Sequence, residues 1–136
     1  MSVIEKNIKL RGSKGEAEKA ALFDSGASYS CIRKELAEKL GIVEALPEPR
    51  RFATAQKDHV IKETHRITID FYINGDRFSD EFMVIEDLSD EVIIGAKTLQ
   101  AWRMRLDFEN DDVVYDPRVT KLRLCKSRSG LFMLFF

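Results

Sequence analysis

Cysteine is scarce in this chain, which has two in 136 residues, Cys31 and Cys125. Two are too few for a disulfide scaffold, although they leave room for a single bridge. An excess of charge is missing as well: 22 Lys and Arg stand against 23 Asp and Glu, a net charge of −1. No global field therefore draws the chain to nucleic acid or to an anionic membrane surface, and neither is expected as a partner. Long apolar runs are absent, none approaching the ~18 residues that cross a bilayer. The opening residues, Met1-Ser2-Val3-Ile4-Glu5-Lys6-Asn7, place charges where a secretory signal needs its apolar core. The expected compartment is the cytoplasm, with both thiols reduced. His59 and His65 have no cysteine or paired carboxylate at ligand spacing, so no metal site is expected. Repeats and low-complexity stretches are also missing.

What the chain has is apolar material: 44% of it is hydrophobic, about 60 side chains, enough for one core of ordinary size. Its length allows one domain and argues against two full-sized lobes. Loose alternation from Val3 to Leu10, the turn Gly12-Ser13-Lys14-Gly15 and the run Ala20-Ala21-Leu22-Phe23 predict a hairpin with a buried second strand. Ile32, Leu36 and Leu40 recur four apart among charges and end at Gly41, which predicts a short amphipathic helix over 32–41. Pro47-Glu48-Pro49 then predicts an extended connecting loop. Phe52 to Thr54 and Val60-Ile61 flank the polar Gln56-Lys57-Asp58-His59 and predict a hairpin with a hydrophilic tip. Ile67 to Ile73 alternates, Asn74-Gly75 is a strong turn signal, and Phe78 to Ile85 is the partner strand. Val92-Ile93-Ile94 ends at Gly95, Thr98 to Trp102 suits a short helix, and Met104 to Phe108 with Val113 to Tyr115 reads as a last strand pair. The fold class is mostly β, with one or two short helices.

Chemistry concentrates at Ala20-Ala21-Leu22-Phe23-Asp24-Ser25-Gly26-Ala27-Ser28. A carboxylate ends an apolar strand, followed by a hydroxyl residue and a glycine that lets the backbone turn tightly. Such a turn can aim Asp24 at another group. Two carboxylates about 3 Å apart cannot both ionise; sharing one proton, they can activate water as base and protonate a carbonyl oxygen as acid. The bland alternative is a turn carboxylate that caps local backbone. Gly26-Ala27-Ser28-Tyr29-Ser30 is no nucleophile elbow, because that motif needs a glycine on both sides of its serine.

An Asp-Ser/Thr-Gly triplet arises by chance in roughly one chain in fifteen of this length, so context decides. Here it follows an apolar strand and is answered downstream by Ile93-Ile94-Gly95. In these two motifs and their order the sequence resembles the retropepsin-like (retroviral-type) aspartic proteases. The resemblance runs to about Asp116, through the opening hairpin, the helix Lys34 to Leu40, the hairpin Phe52 to Ile61, and Leu99 with Leu106-Asp107-Phe108. It implies a closed β-barrel-like acid-protease fold that works as a homodimer, over residues 1–117, with 118–136 as a C-terminal extension. It further implies that Asp24 is catalytic and that Ser25 hydrogen-bonds across the dimer beneath the two carboxylates. Gly26, Ala27 and Ser28 would meet a peptide or protein substrate, Ala55, Gln56, Lys57 and Asp58 would form the tip of a covering flap, and Ile93, Ile94 and Gly95 would brace the loop from behind. No cofactor is implied. The flap tip here lacks the family's usual glycines, and the tail extends past the family's usual end, with Thr120 to Leu124 as a candidate interface strand and Leu131 to Phe136 as an apolar anchor. Endopeptidase action is the reading adopted, and a catalytically silent dimerisation or peptide-binding module on the same fold is its rival.

With Ala27 in place of Ser or Thr, position 27 has no hydroxyl to hydrogen-bond the outer carboxylate oxygens, and a missing donor favours protonation. Peptide hydrolysis is therefore expected to peak between mildly acidic and near-neutral pH; a pH–rate maximum below about pH 3 would contradict this.

Overall fold

Alternating apolar and polar side chains organise most of the chain into strands. The computed structural model describes residues 3–53, 60–127 and 130–135, with backbone alone for residues 61, 122–127 and 130–135. Strand β1 (Val3–Arg11) buries Ile4, Ile8 and Leu10, and β2 (Glu16–Asp24) buries Ala21 and Phe23. They pair antiparallel from Val3↔Asp24 to Arg11↔Glu16, around a turn closed by Gly12 N–H to Gly15 O. A Cβ on Gly12 would collide with the Leu40 carbonyl, so this turn can sit on the helix end only as glycine. The remaining elements are β3 (Cys31–Arg33), α1 (Lys34–Leu40), β4 (Glu44–Ala53), β5 (Val60–Ile73), β6 (Asp76–Ile85), β7 (Val92–Ile94), α2 (Ala96–Ala101), β8 (Arg105–Asp107), β9 (Asp112–Val114), a 3-10 turn (Pro117–Thr120), β10 (Leu122–Ser127) and β11 (Gly130–Phe135).

The main sheet has the order β1-β2-β7-β3-β6-β5-β4, and β1 also pairs with β5 through Leu10↔Phe71. Six strands thus close into a barrel, and β4 lies outside the ring on β5. Closure removes the exposed edges that would otherwise recruit other strands. The β5–β6 hairpin turns at Asn74 (φ 50°) and Gly75 (φ 83°), the left-handed pair that an Asn-Gly turn needs. Inside the barrel Phe23, Phe71, Phe78 and Phe82 are fully buried. Phe71 stacks on Phe78 at 5.3 Å and meets Phe82 edge-on at 6.1 Å, while Trp102 and Tyr115 close over Phe78 edge-on.

Several elements differ from the periodicity reading. Ile32 is not the first turn of the helix: it lies in β3, fully buried, paired with Val92 on one side and Val84 on the other. The i, i+4 spacing that suggested a helix start is satisfied only by Leu36 and Leu40, because sheet pairing captures the β-branched residue first. The stretch around Pro47 and Pro49 is strand rather than loop. Prolines are tolerated there because β4 is an edge strand whose register with β5 shifts between Ala45 and Arg50. Val60 to Ile73 is one continuous strand, which carries the β4–β5 hairpin well beyond the barrel wall. In the tail, Thr120 to Leu124 overlaps β10, which pairs with β11 of its own chain from Leu122↔Phe135 to Ser127↔Gly130. Among the described residues no helix is long and apolar enough to cross a membrane.

Because Phe71 touches two other core rings and has no exposed surface, Phe71→Ala is expected to cost about 4 kcal/mol in denaturant unfolding. A loss below about 1 kcal/mol would show that the aromatic cluster does not hold the barrel.

Candidate active site

The site is built where β7 inserts between β2 and β3. It runs parallel to β2 through Leu22↔Ile93 and Phe23↔Ile94, and antiparallel to β3 through Cys31↔Ile93 and Ile32↔Val92. Residues 25–30 therefore leave the sheet on one side of β7 and return on the other. The turn itself is closed by the Ala27 N–H on the Asp24 carbonyl at 3.2 Å, and the Gly26 N–H donates to Asp24 Oδ1 at 2.8 Å. Asp24 is half-buried, and Ser25, Gly26 and Ser28 are exposed around it. Among the described residues no cation pairs with Asp24, so one carboxylate oxygen is anchored and Oδ2 is left for a further partner.

From behind, the loop is held rigid. The Ala96 and Lys97 amides, at the start of α2, donate to the carbonyls of Ala27 and Ser28 at 2.7 and 3.1 Å. Gly95 lies so close beneath that a Cβ there would stand 2.5 Å from the Tyr29 carbonyl oxygen and 2.9 Å from that of Ala27. The Gly95 N–H donates to Ser30 Oγ at 3.0 Å, the Ser30 hydroxyl meets Thr98 Oγ1 at 2.6 Å, and Thr98 donates to Asp80 Oδ2 at 2.6 Å. Ser30 and Thr98 are buried, and every group in this chain is satisfied, the condition under which a buried polar network rigidifies its surroundings. Asp24, Ser25, Gly26, Ala27 and Ser28 thus form one surface turn, with Ile93, Ile94 and Gly95 directly behind it.

A second cluster ties this loop to the outer hairpin. Tyr29 meets Phe52 of β4 edge-on at 5.4 Å, and both Arg50 and Lys97 lie over its ring at 5.1 and 5.0 Å. Glu81 on β6 holds these cations, with Arg50 at 3.2 Å, Lys97 at 3.3 Å and Arg66 at 3.4 Å. Burial acts to raise the Glu81 pKa, but its bonds to Arg50 and Lys97 outweigh this and hold it below the ordinary carboxylate value. Ala55, Gln56, Lys57 and Asp58 lie outside the described residues; the hairpin that carries them is paired as far as Ala53↔Val60. Cys31 is a free thiol pushed up to about 12 by burial, with the nearby Glu63 charge adding to the effect. It stays protonated at neutral pH, as an inert structural thiol does. Beside Ser25 an open hollow of about 260 Å³ is lined by Leu99, Gln100, Met104, Leu106 and Phe108. Among the described residues no group of three or more His, Cys, Asp or Glu side chains is placed to hold a metal ion.

The Ser30-Thr98-Asp80 chain and the Glu81 hub were not legible in the sequence. Their members lie up to 68 positions apart, and no local spacing marks them.

Residues 12–101 match the family described as "gag-polyprotein putative aspartyl protease". Among solved structures, the retroviral protease-like domain of Ddi1 from Leishmania major is similar with a TM-score of 0.61 and 19% identity, over 98% of this chain and 95% of that one. At that identity the likeness concerns the fold. No curated protein matches the chain.

Because Glu81 has its pKa lowered from 4.5 in the fold, its contribution to stability is fully present above that value and is lost as pH falls through the lower, folded one. Wild type is expected to melt above Glu81→Gln at neutral pH, with the gap closing as the pH falls below 4.5. A gap independent of pH would show that the cations over Tyr29 do not depend on this carboxylate.

Proposed function

This chain belongs to the gag-polyprotein aspartyl protease family, and from that premise we propose that it is an aspartic endopeptidase whose catalytic dyad is completed by a second copy of itself. The observation that carries the reading is the Asp24 turn. One carboxylate oxygen is fixed by the Gly26 amide, and the backbone beneath is clamped by Gly95 and the start of α2, so the side chain is pre-positioned. The chain carries one such turn, and one aspartate cannot act as both acid and base toward the same water. A two-fold axis beside Ser25 would bring two Asp24 carboxylates together to share a proton. The hollow next to Ser25, rimmed by Phe108 with 53% of its surface exposed, offers apolar area for that contact.

In this reading the ionised Asp24 takes a proton from a water molecule while the protonated one donates to the scissile carbonyl oxygen. The resulting gem-diol collapses as a proton passes to the leaving amine, breaking the C–N bond and returning the dyad to its single-proton state. Substrate lies extended, as an added strand between the floor made by Gly26, Ala27 and Ser28 and the hairpin tip at Ala55 to Asp58. No cofactor enters these steps, and the cytoplasm is the compartment proposed.

Asp24→Asn tests this. The variant is expected to remain a dimer by light scattering and to lose at least about 10³-fold in cleavage of a peptide library, since an amide can neither take nor give the proton. A wild-type dimer that cleaves nothing would instead favour the silent binding module, and a wild-type monomer that cleaves would overturn the shared dyad.

A further inference from the structure

Away from the turn, a groove of about 500 Å³ opens between α1, β5 and β6, with Glu38, Glu63 and Glu86 among its walls and Val43 and Val84 between them. Glu86 is already paired, with Lys34 at 2.9 Å. Glu63 is not: only 7% of its surface is exposed, yet among the described residues it has no cation and no hydrogen-bond donor. No fully enclosed side-chain oxygen among the described residues lacks a partner, so the Glu63 carboxylate opens onto the groove rather than into sealed protein. Lys34, which pairs with Glu86, and Lys62 also line the groove, and among the described residues neither forms an ion pair with Glu63. Burial raises the Glu63 pKa, and Glu86 adds to the effect, the mark of a carboxylate that wants a cation. Among the described residues the groove's carboxylates and His65 are not placed as a set that could hold a metal ion, which disfavours a metal as the occupant.

We propose that this groove is a docking site for an arginine or lysine side chain of a protein partner, its charged head on Glu63 and its methylene stem along Val43 and Val84. The division of the walls matches such a side chain, apolar along its length and charged at its end. A desolvated carboxylate gains most from a charge-assisted bond when the incoming head replaces lost water. The groove borders β5, the strand that carries the outer hairpin, so an occupant would bind beside the flap without entering the Asp24 cleft. The inference does not depend on whether the chain hydrolyses peptides.

NMR titration of the full chain with Nα-acetyl-arginine methylamide tests it, with the uncharged isostere Nα-acetyl-citrulline methylamide as control. Saturable shifts are expected at the amides of Glu63, Thr64 and Val84, with affinity about tenfold weaker for citrulline and about tenfold weaker for the Glu63→Gln protein. Equal responses to the two probes, shifts unaltered in Glu63→Gln, or no saturable shift at these amides would each overturn the proposal. If Glu63→Gln fails to fold, the comparison of the two probes on wild type decides alone.

Discussion

The insertion of Val92–Ile94 between β2 and β3 is the constraint on which the rest of the molecule depends. It joins the two halves of the barrel wall, since without it β2 and β3 would each present an open edge. It also fixes where Gly95 must lie, and Gly95 in turn permits the loop after Asp24 to settle directly on the start of α2. Connecting loops are ordinarily the mobile parts of a fold. This one has its Ala27, Ser28 and Ser30 carbonyls bonded to Ala96, Lys97 and Met83. A side chain presented from such a loop keeps its aim because the backbone has few alternatives.

Rigidity at the turn contrasts with the way the outer hairpin is attached. Among the described strands β4 pairs with β5 alone; it carries two prolines and a register shift and reaches the loop through side chains: Phe52 and Arg50 on Tyr29, with Glu81 behind. Side-chain contacts of that kind can be broken and remade at modest cost, whereas the ladder around β7 cannot. The architecture therefore pairs a floor held by backbone ladders with a hairpin that meets it through side chains.

Much of this was legible before the structure, and for a definite reason. The Asp24 turn, the Asn74-Gly75 hairpin and the Ile93-Ile94-Gly95 run announce themselves through local chemistry, in residues whose backbone needs are met within a few positions. Ile32 departs from the helical period because a three-residue strand held by neighbours from elsewhere in the chain leaves no period to read. Likewise Pro47 and Pro49 signalled a break, yet an edge strand has no inward N–H to lose at those positions. The Ser30-Thr98-Asp80 chain and the Glu81 hub depend wholly on the pairing of distant strands, and polar residues of those types are ordinary on a surface.

In the proposed reading each copy supplies half of a site through its Asp-Ser-Gly turn at Asp24. Mixing wild-type and Asp24→Asn chains, allowing subunits to exchange and measuring peptide cleavage against the wild-type fraction tests this directly. If both aspartates of a dimer are required, activity follows the square of that fraction, falling to about one quarter in an equal mixture. Activity that falls in simple proportion to the wild-type fraction would show that one Asp24 suffices and would contradict the shared site.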